Sequence, residues 1–118
     1  MKIIGIVGSR RRNLQSDLEA CHKAFLEVYE DGDQIVSGGC PQGGDAFAEW
    51  IAKKEQIPIT IHYARWKKYG KAAGFIRNGA IAEDADILIA CVTSDRTGGT
   101  EDTILKFEAL GKDKLIVL

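Results

Sequence analysis

Five short apolar runs punctuate the chain: Ile3 to Val7, Ile35 to Val36, Ile57 to Ile61, Ile87 to Ala90 and Leu115 to Leu118. None alternates apolar with polar residues, the pattern of parallel strands covered on both faces. Between them the apolar period changes to that of a helix. Leu18, Cys21, Phe25 and Val28 make one stripe, predicting a first helix opened by a capping box of Ser16 and Glu19 and stopped at Asp31-Gly32. A second helix is expected from about Asp45, stacking Phe47 on Ile51 and Ala48 on Ala52, before Pro58 opens the third strand. A third should run from about Ala73 to Ala85 with Ile76 and Ala80 on one face, and a fourth from Thr100 as N-cap to Gly111.

Strand and helix alternate through all five strands, which predicts an α/β fold: a single-domain Rossmann-like three-layer sandwich around a five-stranded parallel sheet with right-handed crossovers. The expected strand order is 3-2-1-4-5. In that order the chain reverses direction between the first and fourth strands, so the loops at Gly8 and at Thr93 to Thr100 flank the switch point where ligands bind. The loop from Ser37 to Asp45 is their neighbour.

Length and composition narrow the picture without changing it. A chain of 118 residues suits one domain over 1–118, and 45% hydrophobic with 28% charged residues is ordinary for a globular protein. The first apolar run is too short for a secretory leader and no stretch reaches membrane-spanning length, so a cytoplasmic protein with no membrane partner is expected. Cys21, Cys40 and Cys91 form no C-x-x-C pair and, with His22 and His62, offer no metal-ligand spacing. They read as small apolar residues.

The net charge of -1 hides an uneven distribution. Arg10, Arg11, Arg12, Arg65, Lys67, Lys68, Lys71, Arg77 and Arg96 fall in or beside the loops at the carboxyl ends of the strands, against Asp45, Asp95, Glu101 and Asp102. Such a local excess of cations attracts a small anion. The same loops carry the glycines: Gly8-Ser9-Arg10, Ser37-Gly38-Gly39 through Gly43-Gly44-Asp45, and Thr97-Gly98-Gly99-Thr100. Glycine lets backbone N–H groups approach a ligand closely.

Two nucleotide signatures fail on inspection. Gly39 to Gly44 has Walker-A spacing, but Asp45 and Ala46 stand where the phosphate-gripping lysine and the magnesium-binding hydroxyl belong. Gly5-Ile6-Val7-Gly8-Ser9-Arg10 is not G-x-G-x-x-G, and Val36-Ser37-Gly38 puts no ribose-binding acid after the second strand. What remains is Gly98-Gly99-Thr100 ahead of a helix whose first N–H groups carry partial positive charge, with Asp45 read as an N-cap and Arg77 as a phosphate fork.

Val7-Gly8-Ser9-Arg10, Val36-Ser37-Gly38-Gly39 through Gly44-Asp45 with Ala48 and Trp50, Trp66 through Gly74, Arg77-Asn78, Ala85-Asp86 and Gly99-Thr100 follow one another in a familiar order. In these blocks, over nearly its whole length, the chain resembles the YspA-like branch of the SLOG superfamily, which includes the LOG phosphoribohydrolases and the DNA-processing protein DprA. The resemblance implies a nucleotide or nucleotide-derived ligand, held by Gly8, Ser9, Arg10, Ser37, Gly38, Gly39, Gly43, Gly44, Asp45, Trp66, Arg77, Asn78, Gly98, Gly99 and Thr100. The phosphate would lie on the Ser37 to Asp45 and Gly98 to Thr100 backbones with Arg10 and Arg77 as charge partners, and the base on the Tyr63 to Tyr69 segment. A sensor or regulatory module follows from this reading.

The LOG relatives imply an alternative, hydrolysis of an N-glycosidic bond with Arg77 and either Glu101 or Asp102 as the catalytic pair. The loop Asp95-Arg96-Thr97-Gly98-Gly99-Thr100 departs from the P-G-G-x-G-T-x-x-E element of those enzymes. A DprA-like single-stranded DNA site, with Tyr63, Trp66 and Tyr69 stacking near Lys67 and Lys68, ranks last, because the net charge and a compact crevice suit a small anion better than a polyanion. A homo-oligomer is expected, and no cofactor.

Overall fold

The strand runs and helical stripes assemble as alternating elements: β1 (Ile3–Gly8), α1 (Gln15–Val28), β2 (Gln34–Gly38), α2 (Gly44–Glu55), β3 (Ile59–His62), α3 (Trp66–Tyr69), α4 (Ala73–Asp84), β4 (Ile87–Cys91), α5 (Gly99–Ala109) and β5 (Leu115–Val117). They are seen in a computed structural model that describes residues 1–118. All pairings are parallel and the sheet order is β3-β2-β1-β4-β5. The registers place Ile4 between Ile35 and Ile87 and bring Gly8 beside Cys91.

Both faces of the sheet are covered, and the two-residue strand period divides the core. Ile4 and Ile6 of β1 and Ile89 and Cys91 of β4 pack with Cys21 and Phe25 of α1 and Phe47 and Ile51 of α2. Val7, Leu88 and Ala90 point the other way, onto Ile81 and Ala82 of α4 and Ile104 and Phe107 of α5. This is the expected three-layer α/β architecture. No helix is long and apolar enough to cross a membrane.

Helix ends differ from the sequence reading. The first helix is capped by neither Ser16 nor Glu19: Leu14 is its N-cap, and the Asp17 carboxylate, itself gripped by Arg12 Nε at 3.0 Å and Nη2 at 2.8 Å, accepts the Leu14 N–H at 3.1 Å. Asp45 and Thr100 are not N-caps either. Gly43 and Gly98 hold those positions, so Asp45 and Thr100 lie inside the first turns of α2 and α5. On α4 the inward face is Ala73, Asn78, Ile81 and Ala82, with Ile76 exposed, because α5 packs along a stripe one position round from the one chosen by hydropathy. Strand β3 starts at Ile59, and Ile57 is buried ahead of it. The short helix α3 and the 3-10 turn Gly70–Ala72 bury no residue and have no counterpart in the sequence reading.

Lys112 closes the other end of α4. Its ammonium donates to the carbonyl oxygens of Ala82 at 2.9 Å, Glu83 at 2.7 Å and Ala85 at 2.8 Å, three acceptors at or just beyond the helix carboxyl end. Replacing Lys112 by Met keeps the apolar stem and removes the cap. Urea denaturation should show a loss of about 1–2 kcal/mol; an unchanged midpoint would show that water serves those carbonyls equally well.

Candidate functional site

The switch point between β1 and β4 opens into a cleft of about 750 Å³ at the carboxyl edge of the sheet. Its floor is Val7 and Gly8 at the end of β1, continued by Ser9, Arg10 and Arg11. One wall is Gly39, Cys40, Pro41 and Asp45 with Tyr63, Ala64 and Trp66. Arg77, Asn78 and Ile81 of α4 and the Thr97–Thr100 entry to α5 make the other.

The glycines that make this geometry stand where backbones cross. A Cβ on Gly44 would overlap the Val7 and Gly8 main chain, so the start of α2 rests directly on the end of β1. The Cδ1–Cε1 edge of Tyr63 lies against Gly39, where a Cβ would overlap the ring. Both Tyr63 (64% exposed) and Trp66 (61% exposed) leave most of their surface toward solvent at the mouth of the cleft.

The polar groups buried at the Asp45 wall are engaged with one another. Ser37 is buried and its hydroxyl contacts the Ile6 carbonyl and, at 3.0 Å, Asp45 Oδ1. Asp45 Oδ2 accepts the Cys40 N–H at 3.2 Å, which folds the β2–α2 loop back on the start of α2. Across Gly38 stands the Arg77 guanidinium: a Cβ there would meet Asp45 Oδ2 at 2.6 Å and Arg77 Nη1 at 2.7 Å. Burial pushes the Asp45 carboxyl above its ordinary value, against the opposing pull of the Cys40 N–H, the Ser37 hydroxyl and Arg77.

The N-terminus of α5 is the cleft's main source of unused donors. No side chain caps it, and Gly98, Gly99 and Thr100 line the space in front of it. Arg77 Nε donates to Asn78 Oδ1 at 3.0 Å, and neither terminal nitrogen of Arg77 makes a hydrogen bond or ion pair. Arg10 makes none either.

Of the residues singled out from sequence, Gly8, Ser9, Arg10, Gly39, Asp45, Trp66, Arg77, Asn78, Gly98, Gly99 and Thr100 come together on the cleft lining. Ser37, Gly38, Gly43 and Gly44 sit behind it as its support. Glu101 and Asp102 lie off the lining altogether. Glu101 accepts from Arg96 Nε at 2.7 Å, and Asp102 from Asn78 Nδ2 at 3.1 Å and Lys106 Nζ at 2.5 Å.

The positive field is smaller than a count of bases suggests. Arg12 is structural, held by Asp17 and by the carbonyls of Val92 at 2.9 Å and Leu118 at 2.6 Å, and Arg96 is held by Glu101. Arg11 makes a two-pronged pair with Asp95 at 2.8 and 2.9 Å and reaches the Thr93 and Thr97 hydroxyls. This clamp, which holds Asp95 well below the usual carboxylate range through Arg11 first and the two threonines next, ties the β1–α1 loop to the β4–α5 loop. Sequence reading missed it, since nothing local marks Arg11 and Asp95 as partners. A usable signal was also overlooked: between Glu55 and Glu83 there is no acid, so Arg65, Lys67, Lys68, Lys71 and Arg77 have no counter-charge nearby in sequence.

Asp45 gives the site a pH signature. Because its folded pKa lies above its ordinary value of 3.8, the native state holds this proton more tightly, and its contribution to stability falls as pH rises from about that value through the folded pKa. An Asp45→Asn variant lacks this dependence. Urea midpoints measured from pH 3.5 upward should therefore move in favour of the variant, relative to the parent protein, as pH rises; parallel curves would contradict the burial of a charged carboxylate here. In comparisons with known proteins no family model, no curated protein and no solved structure matches this chain.

Proposed function

We propose that the protein binds a nucleotide or nucleotide-derived small molecule in the switch-point cleft, as a sensor or regulatory module of the SLOG, YspA-like kind. The observation that carries this reading is the meeting, in one cleft, of the uncapped α5 N-terminus with two arginines whose terminal nitrogens make no hydrogen bond and two exposed aromatic rings. A phosphoryl group has backbone donors at Gly98 to Thr100 and guanidinium partners in Arg77 and Arg10. A base has Tyr63 and Trp66 on which to stack. In this reading the protein acts in the cytoplasm as a homo-oligomer, without a cofactor or a nucleic-acid partner.

Binding is favoured over hydrolysis by the position of the carboxylates. Glycosidic cleavage needs one beside the anomeric carbon. Glu101 and Asp102 are not on the lining, Glu101 being held by Arg96 and Asp102 by Lys106 and Asn78, and both oxygens of Asp45, the one carboxylate on the lining, already accept hydrogen bonds.

A panel of nucleoside mono-, di- and cyclic phosphates, NAD and ADP-ribose should contain a ligand that raises the melting temperature, adding roughly 2.7 kcal/mol at one hundred times its Kd. Arg77→Ala should weaken that ligand by about 1.5–3 kcal/mol, a factor of roughly ten to a hundred. No shift from any member at millimolar concentration contradicts the reading. Release of free base in proportion to protein, lost in Glu101→Gln or Asp102→Asn, would replace it with the hydrolase.

A further inference from the structure

Asn78 is 7% exposed, and its side-chain amide joins three groups on two helices. Nδ2 donates to the Gly99 carbonyl at 3.2 Å and to Asp102 Oδ2 at 3.1 Å, while Oδ1 accepts Arg77 Nε at 3.0 Å. The polarity of the surroundings fixes this orientation. Turned over, the amide would set its oxygen against two acceptor oxygens and its NH2 against a donor. Lys106 completes the far side by donating to the same Asp102 oxygen at 2.5 Å.

We infer that Asn78 is the positioning residue of the cleft: it sets the Arg77 guanidinium and the α5 N-terminus at one fixed spacing, so that both grip the same anionic group. The inference rests on the nucleotide reading above and assigns Asn78 and Asp102 to the support of that grip rather than to contact with ligand or to catalysis.

The geometry leaves little choice of residue. With Nε tied to Asn78, Arg77 keeps both terminal nitrogens for the cleft, and its planar fork is held against rotation. Gly99, whose carbonyl receives the other end of the bridge, is the first residue of α5, so the same amide holds the helix end that offers its N–H groups. Aspartate at this position would place a carboxylate against Asp102 and the Gly99 carbonyl and would pair with Arg77, removing the charge the ligand needs. Lysine in place of Arg77 keeps the charge but has no second nitrogen with which to meet Oδ1. Asp102 explains itself in the same way: its oxygen is the acceptor that, with Lys106, holds the amide in register.

The test uses AMP as probe and the intact chain. Calorimetry should give a Kd for Arg77→Lys and for Asn78→Asp at least about tenfold weaker than the parent, and the double change Asn78→Asp with Asp102→Asn should recover part of the loss by replacing the carboxylate–carboxylate contact with a donor opposite the new acceptor, while the pairing with Arg77 persists. In NMR spectra without ligand, the Arg77 Nε–H resonance should be protected from exchange in the parent and lose that protection in Asn78→Ser, while the Gly99 and Thr100 amide signals shift with it. A merely structural asparagine would move neither the Arg77 signal nor the rescue. Parent-like affinity in Arg77→Lys, or an Arg77 Nε–H that exchanges freely in the parent, overturns the bridge and leaves the nucleotide reading standing; if the parent does not bind AMP, the same measurements are made with the panel member that does bind, and absence of binding by every member overturns the bridge together with the reading on which it rests.

Discussion

Everything at the carboxyl edge of the sheet depends on one close crossing of backbones at Gly8. A Cβ at this residue would stand 2.9 Å from the Cys91 Cβ and 3.0 Å from the Gly44 Cα, so β1, β4 and the start of α2 meet with no room for a side chain. The Ser9 N–H continues the contact by donating to the Cys91 carbonyl at 3.0 Å. Because these three segments touch, the loops that leave them open on one shared space. A larger residue at Gly8 or Gly44 would have to separate main chains rather than move a flexible side chain, and the cleft floor would go with them.

The crossing also explains why polar groups are buried at the wall formed by the β2–α2 loop. Ser37 and Asp45 are buried there because the β2–α2 loop is drawn down onto β1, and burial of an ionised carboxylate is unfavourable unless donors surround it. Ser37, Cys40 and, across Gly38, Arg77 supply that compensation. The arginine thus has two roles at once: it offsets a buried negative charge and presents its terminal nitrogens to the cleft. Beside the floor the Arg11–Asp95 clamp uses its charges internally, which leaves Arg77 and Arg10 as the lining cations available to an incoming anion.

Strand identity and order were legible in the sequence because buried parallel strands are short unbroken apolar runs, and alternation with helices admits few topologies. The positions of Gly8 and of Gly98 to Thr100 on the cleft followed from that order. Helix caps were not legible. Asp17 competes with Ser16 and Glu19 on local grounds, and what decides for Asp17 is Arg12, which is itself anchored to the carbonyls of Val92 and Leu118, both remote in sequence. The same holds for Asp45, whose partner Ser37 lies on the preceding strand, and for Asp102, whose carboxylate is taken up by Asn78 of the neighbouring helix and Lys106. Charge is read from sequence as a count, whereas the field a ligand meets depends on which charges are already paired.

Native mass spectrometry of the purified protein equilibrated with a mixture of nucleotides tests the central claim most directly, since it reports ligand identity and stoichiometry together. The account predicts one nucleotide-sized adduct per chain, retained under gentle ionisation, released on denaturation and lost in Arg77→Ala. Spectra showing the bare chain alone at every nucleotide concentration, or an adduct equally abundant in Arg77→Ala, would contradict it.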